Sequence, residues 1–508
     1  MPRPLSRRDF LGQASCAAVG SLGLLSTLLN LRMANSAMAQ SLPPGNDYRG
    51  LVCLFFAGGM DSYNLLLPRE TSRYNVYAAT RGEAYHPTTN ADGLALPLSS
   101  ILPLAAAASD PFAFGVHPQC GDFQGSAGIQ SLYGTGKLAF VANVGTLVER
   151  TTKTAYNSST AKLPRALYSH SDQVQQWHTS VATEVRGLGW AGLAADLLNA
   201  GNDNPKVSMN ISLSGQNLWQ TGRQVFNYSI GSAGSTLPSE YASPYAAPVV
   251  GASSTTSLRQ AVRTAAVESM MQQQHQHLLD STFSQNVGES IEASAAFKDA
   301  FDDSVLATAF PGDAAYPTPA AYTTFTDPAR SLGQQLKAVV RTAKIREQLG
   351  LRRQTFFVSY GGWDHHDEVI VTMDTMIDAV NRALAAYWTA LGEIGLRNNM
   401  TLYTASDFAR TLTSNGAGSD HAWGGNAMVL GGDVVGGRVY GSYPDLALNA
   451  PGVVTSRGVT LPALSVEEYF AELAQWFGVP SHQLVDVLPR VRTFYTPGVT
   501  PPVGFMRP

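Results

Sequence analysis

Carboxylates and imidazoles follow two predicted strands of this chain at the points where those strands end. Asp364 and His366 come after the strand predicted over residues 355–360, and Asp407 comes after the strand predicted over residues 400–404. In an open α/β sheet the binding crevice lies just beyond the carboxyl ends of the strands. Because carboxylate oxygens and imidazole nitrogens are ligands of divalent cations, the sequence predicts a metal site at this edge of the sheet.

Two further segments contribute residues of the same types. Asp61 follows an apolar run over residues 51–56 and a pair of glycines, and Asp420 precedes His421 in the glycine-rich segment 415–425. An acidic group at such a position is costly to desolvate, and a cation is its usual partner. We therefore predict a divalent metal, with zinc, calcium and magnesium all open, and a set of candidate ligands: Asp61, Asp364, His366, Asp407, Asp420 and His421.

These residues also have a purely structural interpretation. Asp364 could cap the helix that follows it, with His365 and His366 exposed, and Asp420 could form an Asx turn. Successive residues of an extended backbone point to opposite sides, so Asp364 and His366 are predicted to share one face, with His365 turned away. The metal interpretation depends on that shared face.

Ser169 and His170 form another candidate group, just before a helix predicted over residues 171–178. His170 could be a metal ligand, a general base or a polar surface residue, and Ser169 could be the N-cap of the helix. The residues alone leave these alternatives open. The chain contains no G-x-S-x-G, P-loop or H-E-x-x-H sequence, which argues against α/β-hydrolases, nucleotide hydrolases and zincin proteases.

The hydrophobic pattern predicts an α/β fold with a mostly parallel sheet. Short apolar runs of strand type alternate with segments of helical period, as β-α crossovers require. Strands are predicted over residues 51–56, 137–144, 207–213, 355–360, 400–404 and 427–430. The main helices are predicted over residues 171–178, 190–198, 258–283, 332–349, 368–396 and 466–477.

The N-terminal segment has the features of an export signal. The twin-arginine sequence Ser6-Arg7-Arg8-Asp9-Phe10-Leu11 precedes an apolar run and the cleavage pattern Ala37-Met38-Ala39. We predict export by the twin-arginine translocase to the periplasm or the cell exterior. The predicted organisation is a signal peptide (1–39), the first half of the α/β core (40–230), a helix-rich insertion or lid (231–327), the second half of the core (328–488) and a proline-rich tail (489–508).

Charge and cysteine content exclude some classes of protein. The net charge is −4 at pH 7, and the predicted signal carries four of the arginines, so the mature chain is more acidic still. An acidic protein is not expected to bind nucleic acid, whose phosphates require basic residues. Three cysteines, of which Cys16 lies in the signal, do not form a disulfide framework. Cys53 is predicted to be buried, and whether it pairs with Cys120 is left open.

The order of these motifs resembles that of the domain of unknown function family 1501, over nearly all of the mature chain. The chain departs from the family pattern at Asp407 (usually Glu), Ala409 (Gly), His365 (often Thr) and Ser171 (often Phe). The matching segments are Gly58-Gly59-Met60-Asp61-Ser62-Tyr63-Asn64, Ser169-His170, Asp172-Gln173, Gly361-Gly362-Trp363-Asp364, His366, Ser406-Asp407-Phe408-Ala409-Arg410-Thr411, Asn415-Gly416 and Ser419-Asp420-His421.

That family is similar in turn to the alkaline phosphatase and sulfatase superfamily. The resemblance implies an alkaline-phosphatase-like α/β/α sandwich with one or two divalent metals at the strand ends. It matches Asp61 to the acidic residue after the first strand, Asp364 with His366 to the central pair, and His421 to the late histidine. Asp407 corresponds to the Asp of an Asp-His pair, but Phe408 replaces the His, which puts a second metal in doubt.

The resemblance also implies roles in catalysis. A nucleophile is expected before the second half of the sheet, and Ser169 is the candidate. His170 or Arg410 would then steady the developing charge, while the metal polarises a phosphoryl or sulfuryl oxygen. In this interpretation the substrate is a phosphate or sulfate ester of a small molecule or polysaccharide.

Two other functions are open from the sequence. The chain could be a non-catalytic periplasmic or surface protein that binds or assembles, with a second exported protein as its partner; Phe408 and the large insertion favour this. A redox enzyme with an organic cofactor would suit the export signal, but no G-x-G-x-x-G sequence follows the first strand.

Overall fold

A computed structural model describes residues 48–105, 107, 110–203, 207–235, 269 and 293–507. Its strands are β1 (Arg49–Ala57), β2 (Leu66–Pro68), β3 (Leu102–Pro103), β4 (Phe114–Val116), β5 (Leu138–Gly145), β6 (Asn210–Ser212), β7 (Tyr228–Ser229), β8 (Arg353–Gly361), β9 (Met400–Ser406), β10 (Gly425–Gly431), β11 (Val439–Gly441), β12 (Val453–Val454), β13 (Val459–Thr460) and β14 (Leu464–Ser465).

A nine-stranded sheet forms the centre of the protein. Its order is β11-β5-β10-β9-β1-β8-β6-β7, and β14 also pairs with β5. All pairings in it are parallel except those of β10, which runs antiparallel to both β5 and β9. The central strand β1 is buried along residues 50–56, which explains its continuous apolar sequence, because strands covered on both faces do not alternate.

Helices lie between the strands. Those with both ends in the described part of the chain are α1 (Thr71–Thr80), α2 (Ile129–Gly134), α3 (Lys153–Asn157), α4 (His170–Thr179), α5 (Trp190–Leu198), α6 (Arg330–Lys344), α7 (Val369–Glu393), α8 (Val466–Phe477) and α9 (Leu484–Val487). Short 3-10 turns cover Pro118–Cys120, Asn199–Gly201, Ser481–Gln483 and Val491–Thr493. Helix α8 begins at a capping box in which Ser465 and Glu468 satisfy each other's backbone amides.

The carboxyl ends of β9, β1 and β8 lie side by side. Ala57 of β1 is in register with Gly361 of β8, and Phe56 of β1 with Ser406 of β9. The loops after these three strands therefore start from one edge of the sheet. This alignment positions Asp364 and Asp407 on the two loops that flank the loop after β1.

The predicted α/β class and the mostly parallel sheet are confirmed. The strands and helices predicted within the described residues are all present, with limits that differ by a few residues at most of their ends. The small antiparallel sheet β2-β4-β3 was not predicted, because its strands have only two or three residues each. The domain limits stay predictions. The export signal and the helix predicted over residues 258–283 fall outside the described part, save for residue 269.

The fold also determines the environment of the two cysteines. Cys53 and Cys120 are both buried and unpaired with each other. Burial raises the pKa of both thiols, so neither is a reactive thiolate at neutral pH. Among the described helices, none is both long enough and apolar enough to cross a bilayer.

Candidate metal centre

Close backbone packing brings the three strand-end loops together. Gly58 has a φ of +121°, and a Cβ there would lie 2.6 Å from the backbone nitrogen of Asp364. Gly59 has a φ of +81°, and its Cβ would lie 2.4 Å from the ring of Phe408. Glycine is needed at both positions, because another residue would be strained and would push the neighbouring loops apart.

Asp364, His170 and His421 form a compact group of ligand atoms. One ligand atom from each lies within 4.8 Å of the others. The Nε2 atom of His170 is 3.5 Å from Asp364 Oδ2, and the Nε2 atom of His421 is 3.3 Å from Asp364 Oδ1. These residues come from three separate places: the start of α4, the loop after β8 and the loop before β10.

His366 joins the group at its exposed side. Its Nε2 atom lies 3.2 Å from Asp364 Oδ1 and 3.0 Å from the Nε2 atom of His421. His365 points the other way: it is buried, and its ring packs near that of Trp363 with centroids 5.9 Å apart. Asp364 and His366 thus share one face, as the alternation of an extended backbone predicts.

Each of the three imidazoles has an acceptor at its Nδ1 atom. His170 Nδ1 lies 2.7 Å from Asp407 Oδ2, His421 Nδ1 lies 2.8 Å from the carbonyl oxygen of Tyr168, and His366 Nδ1 lies 3.5 Å from Asp420 Oδ1. A carboxylate or a carbonyl oxygen can only accept, so Nδ1 carries the proton in each ring. In a neutral ring the lone pair of Nε2 then faces the carboxylate of Asp364.

Such an arrangement favours a positive group between the three rings and Asp364. The Nε2 atom of His170 is buried without a hydrogen-bond partner, and two Nε2 atoms 3.0 Å apart would otherwise repel each other. Four ligands about 2.0–2.1 Å from a tetrahedral zinc ion lie about 3.3–3.4 Å from one another. The Nε2 atoms of the three histidines lie 3.2–3.5 Å from an oxygen of Asp364, close to such an edge, and the group whose ligand atoms all lie within 4.8 Å of one another is His170, Asp364 and His421, with His366 beside it. The residues therefore fit a divalent cation, with the second acceptors that metal-binding histidines usually have.

The charge of the site is consistent with this use. Partial burial raises the pKa of Asp364, but its hydrogen bond with Arg410 and the nearby positive charges outweigh burial and lower it, so the carboxylate is ionised. Burial lowers the pKa of His421 against the opposing effect of its bond to Tyr168, so its ring is neutral at pH 7. Metal binding requires a neutral imidazole and an ionised carboxylate.

Arg410 lies behind the group rather than at its mouth. Its guanidinium is fully buried and donates to Asp364 and to the carbonyl oxygens of Gly58, Gly59, Trp363 and Ser419. These acceptors come from the loops after β1, β8 and β9. Arg410 therefore ties the three loops together and supports Asp364, and its contacts do not support the predicted role of meeting a substrate.

Asp61 and Ser169 are engaged outside the group. Asp61 is fully buried and forms an ion pair with Arg81, the residue that follows α1. The hydroxyl of Ser169 donates to Asp172 at 2.8 Å and does not cap the backbone of α4. The structure therefore separates Asp61 from the predicted ligands, because Arg81 already neutralises it, and the contacts of Ser169 do not support a nucleophile.

Asp420 and Asp407 are each separated from Asp364 by the ring of a histidine, His366 and His170 respectively. Asp420 is half-exposed and pairs with Arg457, while its Oδ1 atom faces His366. Burial raises the pKa of Asp420, but Asn415 and Arg457 outweigh this effect and lower it. Both aspartates contact Nδ1 atoms, so they orient histidines instead of reaching the position that the Nε2 atoms surround.

Sequence reasoning missed Tyr168, and it left His170 open between a metal ligand, a general base and a polar surface residue, whereas the structure places it beside Asp364. Tyr168 has a φ of +77°, an unusual value for an aromatic residue, and its carbonyl oxygen accepts from His421. Strained backbone costs of the order of 1–3 kcal/mol and is often found at functional sites. No sequence signal marks this conformation.

His178 lies in the core between Phe55 and Phe357, and burial lowers its pKa to about 3.

The fold and the site define an α/β protein with an imidazole-carboxylate centre at the carboxyl ends of its strands. The chain belongs to a family described as "Protein of unknown function (DUF1501)", whose model matches residues 48–468. No curated protein matches the chain.

Two solved structures of one protein show weak similarity. Ps i-CgsB in complex with k-i-k-neocarrahexaose is 9% identical, with 88% of this chain and 77% of that chain covered and a TM-score of 0.32. Ps i-CgsB alone is 9% identical, with 88% and 76% covered and a TM-score of 0.29. Similarity at this level supports no argument about fold or function.

Proposed function

We propose that this protein is an exported, metal-dependent hydrolase that acts on a phosphate or sulfate ester. The observation that carries the proposal is the convergence of three imidazole Nε2 atoms, each within 3.5 Å of an oxygen, on the carboxylate of Asp364. The ligands of the metal would be His170, His421 and Asp364, which leave one position open for the ester, with His366 beside them. The resemblance to the alkaline phosphatase and sulfatase superfamily agrees with this choice of reaction, and the twin-arginine sequence agrees with export.

The donor set favours one kind of metal. Calcium and magnesium prefer oxygen ligands, whereas imidazole nitrogens together with one carboxylate suit zinc or another late first-row metal. We therefore narrow the metal from the three that the sequence leaves open to a zinc-like ion. When bound, such an ion supplies Lewis-acid polarisation of the ester and a lower pKa for the attacking group.

The charges of the site favour an anionic substrate. A divalent cation together with Arg410 would exceed the charges of Asp364 and Asp407, the two carboxylates closest to His170, by one unit. Asp364 and His366 are each 47% exposed in their side chains, so an ester could approach from their side. His170 and His421 are less exposed and form the floor. A phosphate or sulfate group would find net positive charge above that floor.

Metal content and ester turnover test this proposal. We expect purified protein to contain about one zinc-like ion per chain and to hydrolyse an aryl phosphate or an aryl sulfate in a chelator-sensitive way. Asp364→Ala and His421→Ala should abolish both. Asp367→Ala is the matched control, since Asp367 is exposed beside the site and has no ion pair or side-chain hydrogen bond to a described residue. Protein that holds no metal and turns over neither ester would defeat the proposal.

One observation favours a second function, that of a binding or assembly protein without catalysis. Among the described residues, no serine, threonine or cysteine side chain hydrogen-bonds to the side chain of His170, Asp364, His366 or His421. Ser169, the predicted nucleophile, is held by Asp172. An exported partner protein would then be expected. Co-purification separates the two functions, because an enzyme is active alone, whereas an assembly protein retains its partner and binds metal without turnover.

A further inference from the structure

We propose that Asp407 is a positioning residue that fixes the orientation and tautomer of His170, and that it is not a ligand of the cation. This inference deepens the proposed function and rests on it. Asp407 is 2% exposed, and both of its oxygens are engaged. Oδ1 accepts from the backbone nitrogen of Gly58 at 3.1 Å, and Oδ2 lies 2.7 Å from His170 Nδ1.

The imidazole of His170 stands between two carboxylates. Its Nδ1 atom faces Asp407, and its Nε2 atom lies 3.5 Å from Asp364 Oδ2. Because the carboxylate of Asp407 accepts a hydrogen bond, it selects the tautomer with the proton on Nδ1. The lone pair of Nε2 is then directed at the position beside Asp364. Asp407 therefore influences the position beside Asp364 only through the imidazole of His170. That ring lies between this position and the carboxylate of Asp407, so Asp407 does not reach it.

Packing fixes the ring in the same orientation. The centroid of the His170 ring lies 4.7 Å from that of Phe408 and 4.4 Å from that of His421. Phe408 is therefore a packing partner of a histidine that reaches the site from α4. The two aromatic neighbours limit rotation of the ring, and Asp407 decides which nitrogen carries the proton. Carboxylates in this relation to a metal-binding histidine raise its basicity and hold it in place.

Zinc affinity measured on purified protein tests this role. Competition with a chelator should show that Asp407→Asn weakens Zn²⁺ binding by about 10-fold and Asp407→Ala by up to about 100-fold, both with unchanged stoichiometry. Asp407→Glu, which keeps the charge, should recover most of the loss. Asp364→Ala should remove stoichiometric binding. If Asp407→Asn also removes it, Asp407 is a ligand; if the Asp407 variants bind like the wild type, it has no positioning role.

A buried aspartate away from the site provides the control for general destabilisation. Asp327 is 4% exposed and accepts from Arg382 at 2.8 Å through each of its oxygens. Asp327→Asn should lower the melting temperature as Asp407→Asn does, yet leave Zn²⁺ affinity unchanged. An equal loss of affinity in the two variants would show that the effect of Asp407 is general and would overturn the inference.

The tautomer can be measured without metal. In ¹⁵N-histidine-labelled protein, with His170→Gln used to assign the signals, we expect His170 to carry its proton on Nδ1. In Asp407→Ala that signal should shift toward the Nε2-protonated form. The same tautomer in both proteins would overturn the inference. If wild-type protein binds no Zn²⁺, the proposed function fails, and this measurement still decides whether Asp407 controls His170.

Discussion

Two arginine-aspartate pairs lie after neighbouring strands of the sheet, and they differ in what they leave accessible. Asp61 after β1 and its partner Arg81 are both fully buried. Asp364 after β8 pairs with Arg410, which is equally buried, but its own side chain is 47% exposed and has three imidazoles around it. The first pair is closed, whereas the second leaves one side of the carboxylate open for chemistry.

The comparison shows that a carboxylate at a strand end becomes a site only when its neutralising group leaves part of it open. Both aspartates have the position that the sequence predicts for a ligand. Arg81 and Arg410 both arrive from outside the strands, and neither is adjacent in sequence to the aspartate that it neutralises. The difference between a structural and a functional carboxylate therefore lies in the tertiary contacts.

Removing the charge of the closed pair should have the largest effect. Asp61→Asn leaves Arg81 buried without a counter-ion, which costs about 3–5 kcal/mol of unfolding free energy. Urea denaturation followed by circular dichroism measures this loss. Zn²⁺ stoichiometry of the folded variant should equal that of the wild type, because Asp61 has no contact with the imidazoles. Loss of Zn²⁺ at unchanged stability would place Asp61 among the ligands and break the comparison.

Glu467 sharpens the comparison, since it is a buried carboxylate without a hydrogen-bonded arginine. Both of its oxygens lack a partner among the described residues, and burial raises its pKa from 4.5 to about 8. A carboxyl whose pKa is raised on folding binds its proton more tightly in the folded state. Its effect is therefore absent below pH 4.5 and destabilises the protein increasingly as the pH rises to about 8.

Replacement of Glu467 by glutamine should remove this pH dependence. At pH 8 we expect Glu467→Gln to be more stable than the wild type by on the order of 3 kcal/mol, and at pH 4 to be equal to it. Melting temperatures from pH 4 to 9 measure the difference. Glu468→Gln is the control, because Glu468 caps α8 and pairs with Arg150, so its replacement should destabilise. Curves for wild type and Glu467→Gln that stay parallel across this range would contradict the assignment.

Removal of the open carboxylate should affect binding more than stability. Asp364→Ala should weaken Zn²⁺ binding by more than about 100-fold, the upper range for residues that only orient a ligand. Without metal, the free energy of unfolding should fall by less than it does in Asp61→Asn, because Arg410 keeps four carbonyl acceptors whereas Arg81 keeps only that of Leu94 among the described residues. Calorimetric titration and denaturation of the same preparation measure both quantities. A variant that unfolds like Asp61→Asn would show that Asp364 is structural as well.

Sequence reasoning located the strand ends because β1, β8 and β9 contain apolar runs and because glycine pairs follow the runs of β1 and β8. It also placed Asp364 and His366 on one face, since alternation depends only on local backbone. It could not distinguish Asp61 from Asp364, because Arg81 and Arg410 approach through tertiary packing. It treated Asp407 as a ligand for the same reason: nothing near residue 407 in the chain shows that His170, 237 residues away, covers it.

The exposed pair between Arg457 and Asp420 should have the smallest effect and completes the series. Both side chains are more than 40% exposed, so water screens their attraction, and such pairs contribute about 0–1 kcal/mol. Arg457→Ala should therefore change the free energy of unfolding by less than about 1 kcal/mol. The change expected for Asp61→Asn is about 3–5 kcal/mol. Because Asp420 also accepts from Asn415, it should still hold His366, and Zn²⁺ affinity should fall by less than about 10-fold. A larger loss of Zn²⁺ affinity at unchanged stability would show that Arg457 belongs to the metal centre. It would also show that the burial of an arginine-aspartate pair does not predict the size of the effect of removing it.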